Sequence, residues 1–276
     1  MRVFLRVTNV SAKGVANMLP QLKKQLTLLF YALSYFTRIP IPASIVFDNE
    51  QFHKANAYLP FIGLLAAFKM ITIFYLCQLL FSVPISIILM LVASLLLTGA
   101  LHEDGFADCC DGFGGGYDPT QRLKIMKESQ IGTYGGIGLI ILFLLKFNLL
   151  IELANVGLET LAISLILAHT LSRYGALCIM QTMPYVRLAK EGKVKELTTK
   201  LNRVYFIFAS LLTLPLLCLA TLPIVLMISI VTVVIVGLLH RLFTATLQGY
   251  TGDCLGFTQQ SLELAILLLL SAVLAS

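Results

Sequence analysis

The sequence predicts an all-α integral membrane protein: a polytopic membrane helical bundle of about seven spans, plus an N-terminal interfacial or re-entrant helix. Three observations carry that reading. Hydrophobic residues make up 58% of the 276 residues and charged residues only 12%, where a soluble domain has about 25% charged residues. Mean hydropathy is +0.89. Uncharged apolar runs recur at about the 20 residues a helix needs to cross the hydrocarbon layer, with none of the period-two alternation of barrel strands. No internal repeat or low-complexity linker divides the chain, so residues 1–276 read as a single domain.

At the start of the chain, MRVFLRVTNVSAKGV lacks the long apolar core of a cleavable signal. Residues 25–37 are uncharged for 13 positions between Lys24 and Arg38. That is too short to span, which leaves an interfacial or re-entrant helix. Pro40 and Pro42 force an extended exit from it. Arg38, just before them, reads either as a snorkelling anchor or as a phosphate ligand. Spans follow near 57–82, 84–101, 134–154, 157–182, 204–220 and 222–247. A last one near 260–276 is less clear, because its clean apolar stretch begins only after Glu263.

Positive charge sets the expected orientation. Of 20 Lys and Arg, seven precede residue 57, three lie in the 102–133 loop and six lie between Arg187 and Arg203. Placing these loops in the cytoplasm puts the N-terminus inside and, with seven spans, the C-terminus outside. The basic loop beginning at Arg187 is accounted for by topology and lipid contact. Arg241 sits near the end of the sixth span, and three further cations fall within spans: Lys69, Lys146 and Arg173. Neither lysine has an evident partner in the sequence. Arg173 lies some ten residues before Pro184, deep enough to demand an anion, either a carboxylate or a bound phosphate. His169, one turn earlier, reads as a satisfied core histidine. The six cysteines form no CxxC pair, which argues against a disulfide framework or a zinc site.

The chemistry concentrates in HEDGFADCCDGFGGGYDPTQRLKIMKESQIGTYGG, residues 102–136. Of 14 Asp and Glu in the chain, five fall here within 16 positions: Glu103, Asp104, Asp108, Asp111 and Asp118. Asp104, Asp108 and Asp111, spaced i, i+4, i+7, fit within roughly 60° of one helical face. Carboxylates so grouped repel one another unless a cation sits between them, and oxygen-only donors suit a hard ion, Mg²⁺ before Zn²⁺. Gly112, Gly114, Gly115 and Gly116 then end the helix and leave backbone N–H groups free for phosphate. Asp118-Pro119 reads as N-cap and first position of a short helix carrying Arg122, Lys124 and Lys127. Carboxylates, glycines and cations in this order indicate Mg²⁺-dependent handling of a phosphate ester. A second polar stretch, residues 248–256, offers Asp253 in a glycine-rich turn on the same side, as turn chemistry or as another carboxylate of the site.

These residues resemble the cobalamin synthase family, the adenosylcobinamide-GDP ribazoletransferases. HEDGFADCCDGFGGG and KIMKESQIGTYGGIGL carry the resemblance, with ALSYFTRIPIP, NAYLPFIGLL, HTLSRYGA and GYTGDCLG in the same order. It implies a membrane transferase of the cell inner membrane that requires Mg²⁺. A ribose hydroxyl of α-ribazole, or of its 5′-phosphate, attacks the cobinamide-bound phosphorus of adenosylcobinamide-GDP. GMP leaves, and adenosylcobalamin or its 5′-phosphate forms. On this reading Asp104, Asp108 and Asp111, with Glu103, hold the metal on the cytoplasmic face. Arg122, Lys127, Arg173 and Arg38 bind phosphate, and Asp108 or Asp253 takes the hydroxyl proton. No nucleic-acid partner is expected, and the sequence leaves a homo-oligomer open.

Two other readings fit less well. A CDP-alcohol phosphotransferase also sets aspartates along a membrane helix, but its pattern continues DGxxAR, and here Ala107-Asp108 stands in place of Ala-Arg. A cation-coupled transporter places such residues near the midplane in paired interrupted helices, whereas these aspartates begin where the second span ends.

Overall fold

The computed structural model describes residues 21–187 and 199–275. The start of the chain, read above as lacking a signal, and the middle of the basic loop lie outside the described residues. The architecture is a helical bundle with no named strand among the described residues. Its helices are α1 (residues 21–36), α2 (Asn49–Phe52), α3 (Leu59–Gln78), α4 (Val83–Thr98), α5 (Leu101–Gly115), α6 (Pro119–Ile125), α7 (Thr133–Val156), α8 (Leu158–Thr182), α9 (Arg203–Thr213), α10 (Leu222–Leu247) and α11 (Gly252–Leu274). Short 3-10 turns, His53–Tyr58 and Leu214–Leu219, lead into α3 and extend α9.

Among the described residues, five helices are long and apolar enough to cross a membrane, six if the bent pair α4–α5 counts as one span. This is a multi-pass membrane protein. Two of the seven expected spans are interrupted, each for a visible reason. The 84–101 segment stops after 16 residues, because Gly99 (φ +66°) and Ala100 (φ +57°) both adopt the left-handed conformation and swing α5 through 89°. The 204–220 segment breaks at Pro215 into 3-10 geometry, giving 11 α-helical and six 3-10 residues. With rises of about 1.5 and 2.0 Å per residue it reaches roughly 28 Å, close to the ~30 Å hydrocarbon core. The last span is longer than expected: Thr251 caps it by accepting from the Cys254 N–H at 3.3 Å, so Asp253 sits in its first turn instead of in a loop.

Helix α8 is the hub, with 78% of its apolar window buried, while α10 buries only 11% and presents its length to lipid. At the α3–α8 crossing the backbones touch: a Cβ on Gly63 would lie 2.3 Å from the His169 carbonyl oxygen. α1 packs against the bundle along one face. Leu28, Tyr31, Ala32 and Phe36 are buried against the end of the bundle that carries α5. The Tyr31 hydroxyl donates to Val46 O at 2.7 Å and accepts from Asp48 N at 2.8 Å, which fixes the extended exit.

Candidate active site

Helix α5 lies across one end of the bundle because the two left-handed residues before it turn the chain sideways. Ala100 holds that conformation without the steric freedom of glycine, at a cost of about 1 kcal/mol or more. The turn is braced by Arg38, whose backbone N–H donates to Leu97 O at 2.7 Å and whose exposed guanidinium lies over Gly99. α5 then crosses the start of α11 backbone to backbone. A Cβ on Gly105 would come within 2.9 Å of Asp253 Cα, and one on Gly256 within 2.8 Å of His102 O. This approach carries Asp253 to the face of α5 that bears Asp104 and Asp108.

Of the four acidic residues read as metal ligands, Glu103, Asp104 and Asp108 line one cavity and Asp111 does not. Asp104 is exposed and Asp108 half-buried. Burial, then the neighbouring Asp253 and Asp104 carboxylates, push Asp108 up to about 7. Asp111 faces elsewhere: buried at 8% exposure, it accepts from the Gly132 N–H at 2.7 Å with one oxygen and from the Gly135 N–H at 2.8 Å with the other. It therefore caps α7 from outside that helix, meeting orphan donors that no side chain of α7 satisfies. Glu103 turns into the bundle, where its Oε1 accepts from Gln260 Nε2 at 2.8 Å. Among the described residues, no three Asp, Glu, His or Cys side chains are arranged to hold a metal ion.

The glycine run also differs from expectation. Gly112, Gly114 and Gly115 lie within α5, so the run does not open there into a turn with free N–H groups. Gly112 and Gly114 instead admit close neighbours: a Cβ on either would stand 2.5 Å from the Met126 side chain or the Tyr134 ring respectively. α6 forms as its sequence signals, with Asp118 accepting from the Gln121 N–H at 2.9 Å. Arg122 is tied to carbonyls, donating from Nε to Gly116 O at 3.0 Å and from Nη1 to Thr246 O at 3.1 Å. Lys127 is exposed and lines a cavity of about 580 Å³ together with Asp104 and Asp108.

Sequence reasoning missed Arg187, which it had left to lipid contact. Its Nη2 donates to Asp253 Oδ2 at 2.5 Å and to Met126 O at 3.0 Å. A short parallel pairing places it: Val186 N donates to Tyr250 O at 3.0 Å and Tyr250 N to Pro184 O at 2.9 Å, clamping the exit of α8 against the entry to α11. Nothing in the local sequence signals this, because the two strands of the pairing are over sixty residues apart.

Also missed was the partner of Lys146. Its Nζ lies 2.5 Å from Glu263 Oε1 and 2.5 Å from Gln260 Oε1, all three residues buried. The signal was present: a lone lysine in one apolar run and a lone glutamate in another are complementary. Gln259 Nε2 donates to Glu263 Oε2 at 2.5 Å. His169 Nδ1 lies 3.2 Å from both Glu263 Oε2 and Arg173 Nη1, serving one or the other according to its tautomer. His169 is thus a core histidine, though its Nε2 has no partner. Among the described residues, Arg173, 2% exposed, makes its hydrogen bonds within its own helix, to His169 O at 3.0 Å and His169 Nδ1, while the Glu263 and Glu103 carboxylates offset its charge from α11 and α5. Its Nε is unpartnered, and the side chain lines a cavity of about 240 Å³ with Asp104, Asp253 and Arg187.

Fold and site together define a multi-pass membrane protein with carboxylates and guanidinium groups gathered at one end of its bundle, around two adjoining cavities. The profile of the cobalamin-5-phosphate synthase family matches residues 28–271, and the chain belongs to that family. It is 39% identical over 250 residues to the adenosylcobinamide-GDP ribazoletransferase of Shewanella amazonensis, covering 90% of this chain and 96% of the relative. The enzyme of the same name from Vibrio cholerae is 40% identical over 253 residues, covering 92% and 96%. That of Shewanella woodyi is 41% identical over 251 residues, covering 90% and 97%. No solved structure matches the chain.

Proposed function

We propose that this protein is an Mg²⁺-dependent phosphotransferase of the cell inner membrane, an adenosylcobinamide-GDP ribazoletransferase with its site on the cytoplasmic face. The observation that carries this reading is the placement of Asp104 and Asp108, neither tied to backbone, beside Asp253, Arg187 and Lys127. The donor set is the right chemistry for the ion. Mg²⁺ is commonly held by one or two carboxylates together with substrate phosphates, not by an all-protein cage. Asp104 and Asp108 would supply those carboxylates, while both Asp111 oxygens are taken by the start of α7 and Glu103 Oε1 by Gln260. When bound, the ion would offset the charge of the diphosphate and of the departing phosphate.

The protein's own groups do the rest. Lys127 attracts the diphosphate of adenosylcobinamide-GDP. The acceptor hydroxyl oxygen bonds to the cobinamide-bound phosphorus as the bond from that phosphorus to the GMP oxygen breaks. The hydroxyl proton passes to Asp253 Oδ1, the carboxylate oxygen opposite the Arg187 pair. GMP leaves, and cobalamin or its 5′-phosphate remains. The test is GMP release by purified protein given adenosylcobinamide-GDP and α-ribazole, with Mg²⁺ and with EDTA. Release in the first alone supports the proposal. No release, or release indifferent to EDTA, overturns the function or its metal dependence respectively.

A further inference from the structure

Helix α5 starts without a capping side chain, because the left-handed Ala100 offers none to its first N–H groups. Uncapped helix ends fray, yet this first turn carries Asp104 onto the wall of the cavity of about 580 Å³. What holds it comes from α11. Asp253, Gly256 and Gln260, spaced i, i+3, i+7, lie on one face of that helix. The first two meet α5 backbone to backbone, at Gly105 and His102. The third meets it through a directional bond, Gln260 Nε2 donating to Glu103 Oε1 at 2.8 Å. The orientation of that amide is fixed from behind. Lys146 Nζ, on α7, donates to Gln260 Oε1 at 2.5 Å and is itself held by Glu263 Oε1 at 2.5 Å. An ammonium only donates and a carboxylate only accepts, so the group between them must show an acceptor to one and a donor to the other. A primary amide does both; an apolar side chain or a carboxylate at position 260 does not.

We infer that Gln260 is a positioning residue: it carries the fixed position of the buried Lys146–Glu263 pair through Glu103 to the first turn of α5, and so sets Asp104 for the ion. This rests on the transferase reading above. Gln260 is 2% exposed and lies on the wall of neither cavity that Asp104 lines, so it acts through Glu103 and touches no substrate. Ligands already in place spare an ion the cost of ordering them, and a displacement of about 1 Å at a reacting centre can cost about 10²-fold. The membrane interior thus fixes the geometry of a site at the end of the bundle.

The experiment compares detergent-solubilised wild type, Gln260→Met, Gln260→Glu and the double variant Gln260→Glu with Glu103→Gln. Two quantities are read: amide hydrogen exchange of residues 104–107 in EDTA, and Mg²⁺ affinity by titration. In Gln260→Met, exchange in that turn should quicken about tenfold while α8 amides keep their protection. Mg²⁺ should bind about fivefold more weakly or worse, with kcat at saturating Mg²⁺ within about threefold of wild type. Gln260→Glu sets two carboxylates against each other and should fare worse than Gln260→Met. The double variant rebuilds the contact with the groups exchanged: the carboxylate at 260 accepts from Lys146 and from the amide at 103, with net charge unchanged. Both readouts should return to within about threefold of wild type. If Gln260→Glu alone does not fold, a folded, Mg²⁺-binding double variant gives the same support. Wild-type exchange and Mg²⁺ affinity in Gln260→Met overturn the inference, as does a double variant no better than Gln260→Glu. GMP release separates this from the parent reading: Mg²⁺-dependent release by the wild type alongside either of those results removes the positioning role and leaves the transferase standing. Absence of release by the wild type removes both.

Discussion

Replacing Asp111 by asparagine separates a carboxylate that holds up the fold from one that binds an ion. In the structure both oxygens are engaged, at 2.7 Å with Gly132 N and 2.8 Å with Gly135 N. A hydrogen bond to a charged acceptor contributes about 1.5–3 kcal/mol. Asparagine keeps one acceptor and turns its NH₂ toward the other N–H, so one such bond is lost, along with about 0.3–1 kcal/mol of interaction with the positive end of the α7 dipole. The start of α7 is exposed at Gly132 and Thr133, so water recovers part of the loss, and a net cost of about 2–3 kcal/mol remains. At roughly 2–4 °C per kcal/mol for a chain of this size, the thermal midpoint in detergent should fall by about 4–12 °C. Mg²⁺ affinity, measured by titration below that midpoint, should change by less than about threefold. An unaltered midpoint with a collapse in Mg²⁺ affinity would refute the capping argument and return Asp111 to the metal.

Asp104→Asn and Asp108→Asn should do the reverse, leaving the midpoint within about 2 °C while weakening Mg²⁺ binding at least tenfold; a metal titration with unchanged affinity in both excludes them as ligands. Gly105→Ala pushes a methyl against the Asp253 backbone, 2.9 Å away. Overpacking of about 1–3 kcal/mol and loss of GMP release should follow, and full turnover would show that the α5–α11 contact does not set the site. Lys146→Met takes the amine from Glu263 Oε1 and leaves that buried carboxylate to Gln259 and His169, which should cost about 3–5 kcal/mol. The double variant Lys146→Met with Glu263→Met should recover most of it, and equal instability of single and double variants would argue against the pair. A single cysteine at Thr120, in a background without the native cysteines, should resist an impermeant thiol reagent applied outside intact cells; labelling there would reverse the proposed orientation.

Much of this protein is written in short-range pattern. Hydropathy alone determines a bundle of membrane helices, since an apolar run in lipid must satisfy its own backbone. The i, i+4 spacing puts Asp104 and Asp108 on one face, and Asp118-Pro119 starts α6 where its cap chemistry dictates. Those are statements about neighbours within one or two turns, which sequence spacing encodes directly. Tertiary structure decided the rest. By spacing, Asp111 belongs with the other two aspartates, yet the start of α7, 21 residues on, takes both its oxygens. Arg187 finds Asp253 across 66 positions and Lys146 finds Glu263 across 117. Whether a charged side chain meets an ion, a helix end or an opposite charge depends on how closely two backbones approach. Here that approach is set by glycines at crossings, and no one-dimensional period records which helix will lie against which.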